Sequence, residues 1–254
     1  MKHLLHIPLG VPILILIWFL AGHSGAINPL ILPKLEAVTQ SLASQLATMA
    51  LWEDTGMTAF RALSGLLLSA SLGIPAGLAL GYFPNLYRHI ALPLDFIRSI
   101  PSATLFPVFI LAFGIGNPAK IAVVFYGCFF IIVVAAVYGG RGHPDRQKRI
   151  ATLRSLQASQ LQIFRLVVVP DAMASILGGL RIAASIAFVL VVVTEMFLGA
   201  NNGLGKRIYD FYLGYRIPEL YAALLVLGLI GYATNISIER LEHFYKAKQT
   251  TGGQ

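Results

Sequence analysis

Apolar residues in this chain fall in blocks, not in stripes. The blocks Leu4–Ala21, Thr58–Tyr82, Ile90–Phe113, Lys120–Tyr138, Ile176–Leu198 and Leu220–Ile238 lie near or above the roughly 18 residues that a helix needs to cross a bilayer. They predict an all-α, polytopic membrane protein with about six transmembrane helices. Between the first two blocks, Leu35, Val38, Leu42 and Leu46 recur at helical spacing, which predicts a short amphipathic helix lying at the outer surface. Pro93, Pro101 and Pro107 make the third block irregular; GIGNP at 114–118 reads as a turn and GANNGLG at 199–205 as a glycine-rich outer loop. Residues 139–172 are polar and lie between the fourth and fifth blocks. With no internal repeat, the chain reads as one transmembrane domain, 1–254. Its parts are a first span plus outer segment (1–57), core spans (58–240) with the loop 139–172, and a tail (241–254).

Composition agrees with that class. The chain is 57% hydrophobic and 12% charged, with a mean hydropathy of +0.74, against about 25% charged residues in soluble domains. A net charge of +8 raises nucleic acid as a partner, but its distribution argues otherwise. From Arg141 to Arg181 there are seven Lys or Arg against Asp145 and Asp171, and the tail adds Arg240, Lys246 and Lys248. Such clustering between spans orients a protein in the membrane. It puts both termini and the 139–172 loop on the cytoplasmic side and leaves no case for nucleic acid. The first block, flanked by Lys2 and Ser24-Gly25-Ala26, is similar to a secretory signal peptide; we read it as a retained span. Cys128 is the sole cysteine and the six histidines are scattered, so neither a disulfide framework nor a metal site is expected.

Two kinds of residue inside the spans carry information. Gly65, Ser69, Gly73, Gly77 and Gly81 place a small residue at every fourth position, and Ser175, Gly179, Ala183 and Ala187 do so in the fifth block. These are packing faces for neighbouring helices, and candidates for contact with a second copy. Intramembrane charges are costly and mark pairs or pathways. Asp95 and Arg98 can pair on one face, Arg181 opens the fifth span, and Glu195 closes it. Arg98, Ser99, Ser102, Thr104 and Glu195 are the candidate path residues. Hydroxyls beside Pro101 can also satisfy carbonyls that the proline frees. GANNGLGKR at 199–207 lacks the first glycine and the final Ser or Thr of a phosphate-binding loop. There are no paired carboxylates or nucleophile constellation, so no enzyme is expected.

The stretch LRSLQASQLQIFRLVVVPDA, 153–172, is too polar for a span. Ser159 with Gln162 forms a capping box, so a helix should begin at Gln160, and Pro170 should end the segment. Arg154-Ser155-Leu156 completes an earlier turn, giving two short helices that project from the membrane and suit docking into a partner's groove. The segment resembles the cytoplasmic EAA loop of ABC importer permeases, in which Glu-Ala-Ala, three residues, a glycine and nine residues precede Ile-x-Leu-Pro. Aligned on Pro170, the last element is VVVP at 167–170, the glycine position falls on Gln157, and Glu-Ala-Ala falls on Ala151-Thr152-Leu153. GIPAGLALGY (73–82), FGIGNPAKI (113–121), LGGLRIA (177–183) and TEMFLGANNGLG (194–205) resemble, in order, phrases of the nitrate, sulfonate and taurine branch.

The resemblance implies a type I (MetI-like) importer permease in a prokaryotic inner membrane. Two permease copies form the path for a small solute, two cytoplasmic ATPase subunits bind the loops, and a substrate-binding protein docks outside. This chain then needs no cofactor, since the partner ATPase binds ATP. The implied coupling residues are Arg154, Ser155, Leu156, Gln157, Ala158, Ser159, Phe164 and Pro170. Gln157 must make a sharp turn that the family's glycine makes without a side chain. A stand-alone secondary transporter or channel is the alternative, and it calls for repeats around a midplane site.

Overall fold

The computed structural model describes residues 10–142, 144–197 and 200–251, and among these all regular structure is helical. In chain order the helices are α1 (Gly10–His23), α2 (Leu35–Leu46), α3 (Met49–Tyr82), α4 (Pro84–Arg98), α5 (Phe106–Phe113), α6 (Asn117–Arg141), α7 (Pro144–Ser155), α8 (Gln160–Ile163), α9 (Val169–Phe197), α10 (Leu204–Leu213) and α11 (Ile217–Thr251).

Helix α6 is the centre of the bundle, packed between α3 and α9. The small-residue faces explain why. A Cβ on Gly77 would come 2.5 Å from the Val133 carbonyl, and one on Gly81 equally close to that of Val137. Only hydrogen on those α-carbons lets the two backbones approach so closely. Ser69 adds a polar stitch, its hydroxyl 2.9 Å from the Phe125 carbonyl. On the other side, Ser175 donates to Ala135 O at 2.8 Å and Cys128 to Ala183 O at 3.3 Å. Both small-residue faces are therefore filled within the subunit. They do not argue for a second copy, contrary to the sequence expectation.

Several block boundaries are corrected. The second block belongs to a longer helix, α3, of 34 residues, or about 51 Å at ~1.5 Å per residue, so it projects beyond a ~30 Å hydrocarbon core. The third block is two pieces, α4 and the segment Ser102–Phe113, bent by 77°. Pro101 causes this: it has no N–H to donate and biases Ile100 away from helical dihedrals. Pro170 does not end the loop. The chain runs unbroken from α8 through a π-turn at Phe164–Val168 into α9. Wide i→i+5 turns of this kind relieve the clash of a proline ring with the carbonyl four residues back.

Among the described residues, four helices are long and apolar enough to cross a membrane, or five if the bent pair counts as one span. Helix α1 is a shorter apolar helix of 14 residues, and the expected start of its span at Leu4 lies outside the described residues. So do Leu198, Gly199 and the last three residues of the tail. Helix α2 forms over the four residues at helical spacing, Leu35 to Leu46, and buries Val38, Ser41 and Gln45. Helix α10, rising directly out of the glycine-rich loop, was not anticipated.

Candidate coupling loop, cleft and buried ion network

The polar loop folds as two helices and a tight turn. Helix α7 ends in a Schellman motif, with Ala158 N–H donating to Leu153 O and Gln157 N–H to Arg154 O, each at 3.0 Å. That geometry needs a left-handed residue, and Gln157 supplies it at φ +58°. The turn that a glycine would make is present with a side chain in its place. The expected capping box follows: Ser159 N–H donates to Gln162 Oε1 at 2.7 Å, and Gln162 N–H to Ser159 Oγ at 3.3 Å.

Of the expected coupling residues, Arg154, Ser155, Leu156, Gln157 and Ser159 are exposed, with Leu156 72% accessible at the tip. Ala158 is half-buried. It packs inward against Ile150, Ile163, Val167 and Leu153 in the loop's own small core. Phe164 stacks edge-on against Tyr82 at 5.8 Å, whose hydroxyl donates to Gln160 Oε1 at 2.8 Å. The loop is thereby tied to the end of α3.

A second tie was not foreseen. Arg146 is 2% exposed, and its guanidinium donates to the carbonyls of Gly139, Gly140 and Val168 and to Asp171. It bridges the last turn of α6, where orphan carbonyls carry partial negative charge, to the start of α9. Gly142, at φ +72°, lies so close that any Cβ would strike that guanidinium. Arg149 shares Asp171 at 2.7 Å. Loop, α6 and α9 are locked as one unit.

The bend in the third span opens a cleft of about 700 Å³ against α6 and α9, lined by Arg98, Ser102, Tyr126, Phe130, Ser175 and Gly178 among others. Arg98 and Ser102 thus reach it. Ser99 and Thr104 do not; their hydroxyls donate to Asp95 O and Pro101 O, each at 2.7 Å, satisfying carbonyls around the break. Arg98 pairs with Asp95 at 2.8 Å, as the spacing predicts. Arg181 pairs with Glu239 at 3.1 Å.

Glu195 lies away from this cleft, 1% exposed. Arg61 from α3 meets it at 2.5 Å, Thr58 donates to it at 2.8 Å, and Gly205 N–H at 3.0 Å. Arg61 also holds Asn117 and both oxygens of Asn202. The glycine-rich loop wraps over this carboxylate: Gly203, at φ +123°, has no room for a Cβ beside it. Next to it, Asp54 accepts from Gly203 N–H at 2.7 Å and from Arg207 at 2.6 Å. Arg61 was not singled out from the sequence, although a lone arginine inside an apolar block was signal enough. This is a structural network that fixes α3, α9 and the outer loop.

Residues 73–249 match the family described as the binding-protein-dependent transport system inner membrane component. The chain belongs to this family. It is therefore a multi-pass permease subunit of an ABC importer, and ATP hydrolysis belongs to a separate subunit. It is 33% identical over 222 residues to a chain named as an ABC transporter permease in Methanocaldococcus jannaschii, covering 86% of this chain and 82% of that one. It is 25% identical over 235 residues to the taurine transport system permease TauC of Escherichia coli K12, covering 91% and 84%. An inward-facing structure of the MetNI methionine ABC transporter contains a chain of the same fold, with TM-score 0.63 and 22% identity over 77% of this chain and 94% of that one.

Proposed function

We propose that this permease carries a small sulfonate-like anion through the cleft at the bend of its third span, driven by an ATPase docked on the loop 144–168. In the full assembly two copies of the chain face one another, two ATPase subunits sit on the cytoplasmic loops, and a substrate-binding protein docks on the outer side. The loop face carries the excess of basic residues, which supports a cytoplasmic placement for it and for both termini.

One observation carries the coupling role. The Schellman turn and capping box hold the exposed tip Leu156 on a rigid knob, and Arg146 joins that knob to two spans at once. A push on the tip then moves the ends of α6 and α9 together. The substrate class rests on Arg98, the one charged side chain among the described residues that line the cleft, paired with Asp95 through its Nε, and on relatives named for taurine and aliphatic sulfonates.

The test is purification of the tagged chain from native membranes, followed by hydrolysis assays with binding protein and candidate sulfonates. An ABC ATPase should co-purify, and a sulfonate should stimulate hydrolysis. Transport by the chain without any ATPase would instead support a secondary transporter or channel. Stimulation by cations alone would remove the anion assignment.

A further inference from the structure

We propose that an arginine-lined cleft between the loop and the ends of α3 and α6 binds the phosphate of an anionic phospholipid. The cleft is about 460 Å³ and its lining includes Tyr82, Phe83, Arg141, Arg146, Arg154 and Gln160. Three arginines line it and no carboxylate does. Arg146 forms the floor and is saturated by carbonyls and Asp171. Arg141 and Arg154 have no acidic partner among the described residues. Arg141 is nevertheless held in place, its guanidinium 4.2 Å from the Tyr87 ring centroid, which fixes a cation at little further ordering cost.

A general excess of basic residues on this face accounts for their number, but not for Arg141 and Arg154 lining one concavity whose third arginine, Arg146, is already saturated. Like charges so gathered repel unless an anion joins them, and the guanidinium fork matches phosphate geometry. The phosphate could come from a lipid headgroup or from solution. The surroundings favour lipid. The cleft lies where spans end, and Phe83 (54% exposed) and Leu86 (42%), one turn along α4, offer apolar surface to acyl chains.

The experiment is native mass spectrometry of the full-length permease, with its co-purifying subunits, after exchange into detergent with phosphatidylglycerol or phosphatidylcholine. Phosphatidylglycerol should be retained and phosphatidylcholine should not. Arg141→Gln with Arg154→Gln should weaken retention about tenfold, equivalent to ~1.4 kcal/mol. Arg88→Gln, at an exposed arginine of α4 outside the cleft lining, should leave it unchanged. Equal retention by the double variant, or equal loss in Arg88→Gln, overturns the proposal. Displacement of the lipid by inorganic phosphate reassigns the cleft to the free ion and overturns the lipid assignment. Should the double variant fail to fold, a photoreactive phosphatidylglycerol on the unaltered protein decides. Labelling is expected at residues 82–86 or 141, and labelling confined to other segments contradicts the proposal.

Discussion

At the scale of single residues, Gln157 holds a side chain where a glycine would make the turn without strain. Holding a side chain at φ +58° costs about 1 kcal/mol relative to glycine. Gln157→Gly should therefore raise the detergent melting temperature slightly and leave transport-coupled hydrolysis intact. A fall in either quantity would mean that the glutamine side chain itself holds the turn. Glu195 and Arg61 make a second residue-scale case. Removing one partner strands the other charge in a buried site, at roughly 3–5 kcal/mol. Arg61→Leu should sharply lower the yield of monodisperse protein, and Arg61→Leu with Glu195→Leu should restore part of it. No recovery in the double variant would show that Arg61 acts mainly through Asn117 and Asn202. Glu195 was legible in the sequence as an intramembrane charge. Its pairing with Arg61 was not, because the two lie 134 positions apart and meet only once α3 and α9 are known to be neighbours.

At the scale of elements, the capping box and the two-helix form of the loop were legible because both are local signals, written within a few residues. The continuity into α9 was not. Proline is a dependable breaker unless a neighbouring turn widens, and the π-turn at Phe164–Val168 leaves no compositional mark. The same loop separates packing from docking. Ala158→Glu forces a charge into the small core of Ile150, Ile163 and Val167, so it should lower protein stability along with activity. In the third span, the prolines gave fair warning of irregularity but not of the bend angle or of which hydroxyls reach the cleft. Ser102→Cys should react with water-soluble thiol reagents at a rate that changes with nucleotide state, and Thr104→Cys should react without that dependence. Uniform protection of Ser102→Cys would close this route as the path.

At the scale of the whole molecule, hydropathy revealed the membrane class and most of the helical order. It could not give the span count, because block length does not show where a helix bends or continues. The small-residue faces were legible as packing surfaces, yet their partner, α6 in the same chain, required the fold. The case for a second copy rests on family membership and on a cleft left open at the subunit surface. Native mass spectrometry of the extracted complex should show two copies of this chain, and one copy paired with a different permease would contradict that arrangement.

The central claim is that an ATPase drives this permease through the loop. It is tested most directly by Leu156→Glu, since Leu156 is exposed at the tip and absent from the loop's core. The measurement is the ATPase retained by the tagged permease, read beside its melting temperature. Retention should fall about tenfold or more, the loss of ~1.4 kcal/mol or greater expected for a buried interface leucine made charged, while the melting temperature holds. Full ATPase retention with normal substrate-stimulated hydrolysis would show that the loop is a connector and that coupling runs elsewhere.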